Sequence, residues 1–310
     1  MDEFARIAKF FAPLAGEAGL GLKDDAAVLT PPPGRQLVLT VDQMLEGVHF
    51  LPGDAPALIA RKLLRRNLSD LAAMGAVPLG YLLTTALPPS LPEEWLAGFA
   101  EGLAADQREF AITLLGGDSS SSRTDIALTA TLIGHVAPGQ ALPRNGARAG
   151  DKIFVTGTIG DAALGLEARR GNLADRTGFL TRRSLLPDPR IGLPLAGIVS
   201  AAIDVSDGLV QDLAHICRGS ALAAVINAET VPASPEAAAL GPGYLALRLT
   251  GGDDYELLLA VPPENTEALR AACGEVPVTQ IGVLQPGEGV QVLTGSGAPL
   301  PLTSSGWKHF

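Results

Sequence analysis

Cysteine and histidine are scarce in this chain, at 2 and 4 of its 310 residues. Cys217 and Cys273 are too few for a disulfide framework and lack metal-ligand spacing, which fits inert packing in a reducing cytoplasm. His49, His135, His215 and His309 show no zinc spacing either. Long apolar runs are missing, with none near the roughly 18 residues that span a membrane, so no membrane partner is expected. The N-terminus opens on Asp2 and Glu3 rather than on the basic residues of a signal peptide. Phe4, Ile7, Ala8, Phe11 and Leu14 then fall at helical spacing and predict an amphipathic docking helix. Positive charge is in deficit: 23 Lys and Arg against 33 Asp and Glu leave a net charge of −10. That balance argues against a nucleic-acid partner, which demands a basic surface. GxxxxGK(S/T), GxGxxG, an HRD-type catalytic loop and a nucleophile-elbow serine are all absent, which excludes P-loop and protein-kinase architectures.

What is present is the composition of a folded α/β (α+β) protein: 47% hydrophobic residues, with 36 Gly and 24 Pro punctuating its turns. The length fits two domains. Residues 36–41 alternate as a strand that ends at Asp42, and residues 57–76 follow a helical pattern carrying Asn67 and Asp70 on one face. A strand over 79–87 leads to Ser90-Leu91-Pro92-Glu93, which reads as a capping box opening a helix to about Phe110. A short strand, 112–115, runs into Gly116-Gly117-Asp118-Ser119, and 126–133 is a further strand. Residues 137–151 hold two prolines and three glycines without periodicity. Domains are therefore expected at 1–137 and 152–310, with a linker over 138–151. In the second, strands are predicted at 152–156, 222–227, 255–261, 279–284 and 290–293. Helices are predicted from about 161, at 191–200, after Gly208 and over 264–273.

Acidic residues recur in short Gly- and Ser-rich settings. Asp24-Asp25 precedes the strand-like segment 26–29 and is either a solvated turn or a cation site. Asp70 lies within the apolar helical segment Leu68-Ser69-Asp70-Leu71-Ala72-Ala73, where an unpartnered carboxylate would cost several kcal/mol. It needs Arg65, Arg66 or a metal. Gly116-Gly117-Asp118 permits backbone N–H groups to approach an anion. In Asp204-Val205-Ser206-Asp207-Gly208, Ser206 is placed to cap a helix whose N-terminus favours phosphate. Gly251-Gly252-Asp253-Asp254-Tyr255-Glu256 repeats the Gly-Gly-Asp theme. An acidic chain can hold an anionic nucleotide if magnesium stands between carboxylates and phosphates.

Taken in order, these motifs resemble one family. Lys23-Asp24-Asp25-Ala26-Ala27, Thr40-Val41-Asp42, Glu46-Gly47-Val48-His49-Phe50, Asn67-Leu68-Ser69-Asp70-Leu71-Ala72-Ala73-Met74-Gly75-Ala76 and Gly116-Gly117-Asp118 are similar to blocks of the thiamine-monophosphate kinases. So are Val155-Thr156-Gly157-Thr158-Ile159-Gly160-Asp161, Asp204-Val205-Ser206-Asp207-Gly208-Leu209, Leu249-Thr250-Gly251-Gly252-Asp253-Asp254-Tyr255-Glu256-Leu257 and Gly306-Trp307-Lys308-His309-Phe310. The resemblance spans nearly the whole chain. It implies the two-domain fold shared with aminoimidazole ribonucleotide synthetase and selenophosphate synthetase. In that fold an N-terminal mixed sheet pairs with a second subunit's into a dimeric barrel, and an α/β C-terminal domain follows. It also implies a homodimer that makes thiamine diphosphate from thiamine monophosphate and ATP, the last step of that cofactor's biosynthesis.

Carried over by motif position, Asp25, Thr40, Val41, Asp42, Asp70, Asp118, Asp204 and Asp207 would bind several magnesium ions. Gly117, Asp118, Arg144 and Ser206 would contact ATP, and His49, Asp253 and Trp307 the thiamine moiety. Asp42, Asp70, Asp118, Arg144 and Asp207 would form the catalytic set. Two positions depart from the family's pattern: Lys23 stands where Gly is common, and Asp253 where Glu is frequent. A phosphate monoester has a second pKa of about 6, so the acceptor is already an anionic nucleophile and needs no general base. Direct in-line transfer of the γ-phosphoryl group follows, with cations screening the repulsion. Competing readings are a sibling ATP-dependent synthetase, a two-metal phosphohydrolase and a cation-stabilised interaction domain. Selenophosphate synthesis is disfavoured because the first half has no cysteine.

Overall fold

The computed structural model describes residues 3–302 and 304–307. Asp2 of the acidic start, His309 and the last three residues of the closing motif lie outside them. Two units separate, one formed by Met1–Leu71 and Ala76–Gly139, the other by Ala72–Gly75 and Gln140–Phe310.

In the first unit, α1 (Glu3–Arg6) runs on as a π-helical stretch, Ile7–Phe11, and a 3-10 turn, Ala12–Leu14. The docking helix expected from the sequence is therefore not a regular α-helix. Phe10 and Phe11 are buried and Phe4 is exposed. Next come β1 (Gln36–Leu45), α2 (Pro56–Ala73), β2 (Val77–Leu87), α3 (Glu93–Phe110), β3 (Thr113–Ser121) and β4 (Ala127–Val136). The strands form one sheet in the order β1-β4-β2-β3. β4 is antiparallel to both neighbours and β2 is parallel to β3, with α3 as the crossover that parallel pairing requires. Beyond β3, Ala15 bridges to Leu114 and the Gly16 N–H donates to Leu114 O at 3.1 Å, so the N-terminal segment pairs with β3.

Strand alternation gives this sheet two different faces. Leu128, Ala130, Leu132 and Val136 are buried on one side of β4. The other side carries Thr129, Thr131, Ile133 and His135, beside the exposed Leu37, Leu39, Val41, Val77 and Leu82 of β1 and β2. α2 and α3 lie so close that a Cβ on Gly102 would stand 2.2 Å from Ala57 O, which only glycine avoids. One turn on, the fully buried Asp106 accepts from Arg61 Nε at 2.7 Å and Arg65 Nε at 2.9 Å.

The second unit contains β5 (Lys152–Thr156), α4 (Asp161–Arg169), α5 (Phe179–Leu185), β6 (Ala201–Asp204), α6 (Leu209–Ser220) and β7 (Leu222–Asn227). It continues with α7 (Pro235–Ala239), α8 (Leu245–Thr250), β8 (Leu257–Val261), α9 (Thr266–Cys273), β9 (Val278–Pro286) and β10 (Gly289–Leu293). Its sheet runs β10-β7-β9-β5-β8-β6, antiparallel except between β10 and β7. Successive residues of the central strands enter opposite cores. Ile153, Val155, Ile203, Leu258 and Ala260 pack with Leu209, Leu213 and Ile216 of α6. Phe154, Ala202, Leu257 and Leu259 pack with Leu195, Val199 and α9's Leu269 and Cys273. Burial on both faces is why these strands read as continuous apolar runs.

Several expectations change here. No helix forms over 191–200, because Pro194 interrupts it and Gly192 (φ 88) and Gly197 (φ 77) are left-handed, although Leu195 and Val199 still bury. Residues 26–29 are not a strand. Ser90 does not cap α3, whose N-cap is Pro92 without a side-chain bond. α5 had no predicted counterpart; the Asp175 carboxylate accepts the N–H groups of Gly178 at 3.0 Å and Thr181 at 2.8 Å at its start.

Candidate active site

Within the first unit, a cavity of about 680 Å³ lies beside β3. Asp24, Asp25, Gly117 and Asp118 line it, together with apolar walls such as Phe11 and Leu22. The strand expected to end at Leu115 continues through Gly116-Gly117-Asp118 as part of β3, after a bulge that sets Leu82 opposite Gly116. A Cβ on Gly117 would stand 1.8 Å from Leu83 O, at φ +158, so the position is closed to any side chain. The backbone can therefore approach β2 here, and Asp118, opposite Thr84, is exposed.

A second group forms between β1 and α2. Thr40 Oγ1 donates to Asp70 Oδ2 at 2.5 Å, and Arg66 Nη2 stands 3.8 Å from Asp42 Oδ1. Thr40 and Asp42 share one face of β1, and Arg66 and Asp70 are one turn apart on α2, so the two contacts are neighbouring rungs. Asp42 sits within the strand, opposite Ala130, rather than at its end. Arg65, one of the cationic partners considered for Asp70, pairs with Asp106 and with Glu109. Val41 is exposed on the outer sheet face. His49 is fixed by its ring, whose Nδ1 accepts the Leu45 N–H at 3.0 Å, which leaves Nε2 to carry the proton in the neutral ring.

These two groups are not adjacent within one chain. Asp42, Ala130, Leu83 and Gly117 lie in one row across the sheet, so Asp42 and Gly117 stand on opposite edge strands, about 14 Å apart at three strand spacings.

In the second unit, four of the expected residues, Ser206, Asp207, Asp253 and Trp307, gather at the start of α6. Gly208, at φ 126, occupies the N-cap, so Ser206 does not cap the helix as expected. Instead the buried Asp212 reaches back, and its Oδ2 accepts the N–H groups of Ser206, Asp207 and Gly208 at 3.0, 3.1 and 3.1 Å. The Asp253 N–H donates to Ser206 O at 2.8 Å, and the Trp307 N–H to Asp207 O at 2.9 Å. A Cβ on Gly252 would meet Ser206 O at 2.4 Å and one on Gly306 would meet Asp207 O at 2.7 Å, so small residues are what let the three segments converge. Arg144 lies near the His215 ring, whose pKa falls through burial, then Arg218, then Arg144.

Asp212 and His215 had no signal in motif reading beyond their three-residue spacing on one helix. With Asp207 they place one ligand atom each within 4.8 Å of one another. Burial, and after it the charges of Asp204 and Asp207, push the Asp212 carboxyl up to about 8. Such crowding of carboxylates is what a divalent cation relieves; the carboxylates here and the oxygens of Thr40, Asp42 and Asp70 are hard donors suited to magnesium, while His215 offers a nitrogen.

The chain matches the sequence model of AIR synthase related protein, N-terminal domain, over residues 23–136, and that of the C-terminal domain over 148–294. Thiamine-monophosphate kinase from Caulobacter vibrioides is 42% identical over 319 residues, covering 99% of this chain and 90% of that protein. The chain belongs to the thiamine-monophosphate kinase family. The crystal structure of the Stenotrophomonas maltophilia K279a family member superposes with a TM-score of 0.82 at 38% identity, over 96% of this chain and 95% of that one. AaThiL complexed with AMPPCP and TMP gives 0.80 at 31% identity, over 99% of this chain and 97% of that one. Both of the chain's sheets are mixed, and the α/β class and two-part organisation of the family's fold are those observed.

Next to the converging segments, Asp254 is buried and accepts the N–H groups of Gly160 at 2.7 Å and Ala162 at 3.2 Å. Burial pushes its carboxyl up to about 8. The folded chain thus keeps a proton that the unfolded chain releases above about pH 4. The stability this group contributes is full below that pH and is lost as pH rises to about 8. Urea unfolding at pH 4 to 9 should accordingly find Asp254→Asn gaining on wild type up to about pH 8 and level above it. A difference independent of pH would contradict the assignment.

Proposed function

We propose that this chain phosphorylates thiamine monophosphate with ATP, giving thiamine diphosphate and ADP in the last step of thiamine diphosphate biosynthesis. The observation that carries the reading is the likeness, at 31% identity across 99% of the chain, to a protein solved with AMPPCP, an ATP analogue, and TMP. The oxygen-rich groups described above supply the chemistry that such ligands need.

In this reading Asp25, Thr40, Asp42, Asp70 and Asp118 of the first unit, and Asp204 and Asp207 of the second, hold magnesium; Val41 would contribute through its backbone. Bound magnesium screens phosphate charge and aligns donor with acceptor. Gly117, Asp118, Arg144 and Ser206 take the nucleotide, Gly117 by close backbone approach and Arg144 by charge. Thiamine monophosphate rests against Asp253, Trp307 and His49. Because Nδ1 of His49 is occupied by a backbone donor, the ring offers Nε2–H to the substrate and is not the base. No base is required: the acceptor phosphate is anionic at neutral pH and attacks the γ-phosphorus in line, while the bond to the β-phosphate oxygen breaks and ADP leaves.

A homodimer built on the first unit's sheet is part of the proposal. Its support is the apolar outer face, where Leu37, Leu39, Val41, Val77 and Leu82 are all exposed. A cytoplasmic location accords with the substrates, and among the described residues no helix is long and apolar enough to cross a membrane.

Incubation with magnesium, ATP and thiamine monophosphate should yield thiamine diphosphate and ADP in equal amounts; inorganic phosphate alone would overturn the reading. Asp70→Asn keeps an acceptor for the Thr40 hydroxyl and should keep the fold, yet lower kcat by about 100-fold or more. Wild-type turnover in that variant would remove Asp70 from the metal set. Light scattering should give twice the chain mass for the wild type and a single chain mass for Leu39→Glu. An unchanged mass in the variant would exclude this face as the interface.

A further inference from the structure

Three residues of the Gly251–Glu256 turn have left-handed backbones: Gly252 (φ 74), Asp253 (φ 64) and Tyr255 (φ 54). Glycine takes this conformation without penalty, whereas for a bulky aromatic residue it is an outlier that the surroundings must enforce. Such strain collects where a chain fixes a functional group. The enforcement is visible here. Tyr255 is 1% exposed, its N–H donates to Val205 O at 2.9 Å, and the Asp253 N–H donates to Ser206 O at 2.8 Å. On the far side, Asp254 is pinned by the N–H groups of Gly160 and Ala162. Between these anchors the Tyr255 hydroxyl donates to Asp253 Oδ1 at 2.9 Å, while Asp253 itself remains partly exposed.

The strained backbone therefore turns a buried phenol toward a carboxylate that faces solvent. A carboxylate on one methylene rotates about two bonds, and a charge-assisted bond to one oxygen fixes the plane and so the direction of the other. We propose that Tyr255 is a positioning residue for substrate recognition: its hydroxyl sets the rotation of the Asp253 carboxylate so that it meets the cationic ring of thiamine monophosphate. The proposal rests on the reading above in which Asp253 contacts the substrate. It gives the strained turn a purpose that packing alone does not, because a phenylalanine would fill the same volume.

The test is a kinetic cycle with Tyr255→Phe, Asp253→Ala and the double variant, with melting temperatures recorded for each. Tyr255→Phe should raise KM for thiamine monophosphate by about tenfold, and leave kcat and KM for ATP within about twofold, since an oriented charged hydrogen bond is worth about that much. In the Asp253→Ala background, adding Tyr255→Phe should change nothing further. A KM unaltered by Tyr255→Phe while Asp253→Ala raises it would overturn the positioning role and leave Asp253 in the site. An equal rise in both backgrounds would overturn it too, because Tyr255 would then act by another route. If Asp253→Ala leaves KM unchanged, Asp253 is no substrate contact and the proposal falls with that reading.

Discussion

Carboxylates brought close together and away from water repel one another, and each must be met by a cation, a proton or a set of oriented N–H groups. This chain uses the first answer where the role is structural. Asp106 is matched by Arg61 and Arg65, and the fully buried Glu256 by Arg183 Nη2 at 3.0 Å and Arg190 Nη2 at 2.5 Å. Asp254 and Asp212 use the other two, since backbone donors surround both and both are pushed toward the protonated form. The candidate ligands are set up differently. Asp70 accepts from the Thr40 hydroxyl, Asp42 has the Arg66 guanidinium at 3.8 Å, and Asp207 accepts from Gln211 Nε2 at 3.1 Å. An acidic protein that handles triphosphate and phosphate ester is intelligible if metal ions stand between its carboxylates and the phosphates.

Backbone proximity is the second constraint. Gly208, Gly252 and Gly306 each stand where a Cβ would strike another segment's backbone at 2.8 Å or less. Their absence of side chains lets the end of β6, the turn before β8 and the C-terminal segment share hydrogen bonds, which places Ser206, Asp207, Asp253 and Trp307 together. Gly117 does the same for β3 against β2. In each case the functional residue is adjacent to the glycine that makes room for it.

Much of this was legible in the sequence, and the failures have physical causes. The strands of both sheets other than β6, and the long helices α2, α3 and α6, follow from period and length; the four residues of β6 are too few to show a period. Helix ends were read less well: Ser90 and Ser206 look like caps, yet Pro92 and Gly208 hold the N-cap positions. The apolar spacing of 191–200 marks burial correctly but not conformation, because Pro194 and two left-handed glycines forbid a helix. Motif order located the candidate residues. Spacing gave no hint that Asp42 and Asp118 occupy opposite edge strands, since strand order is a long-range property. Asp212, His215 and Tyr255 emerge only when the fold brings them beside residues already suspected.

The central claim is that magnesium links an acidic protein to anionic substrates. Calorimetric titration of the wild-type protein with AMPPCP, with and without magnesium, tests it most directly. Heat of binding should appear only when magnesium is present and vanish on chelation. Equal affinity in the chelated protein would contradict it.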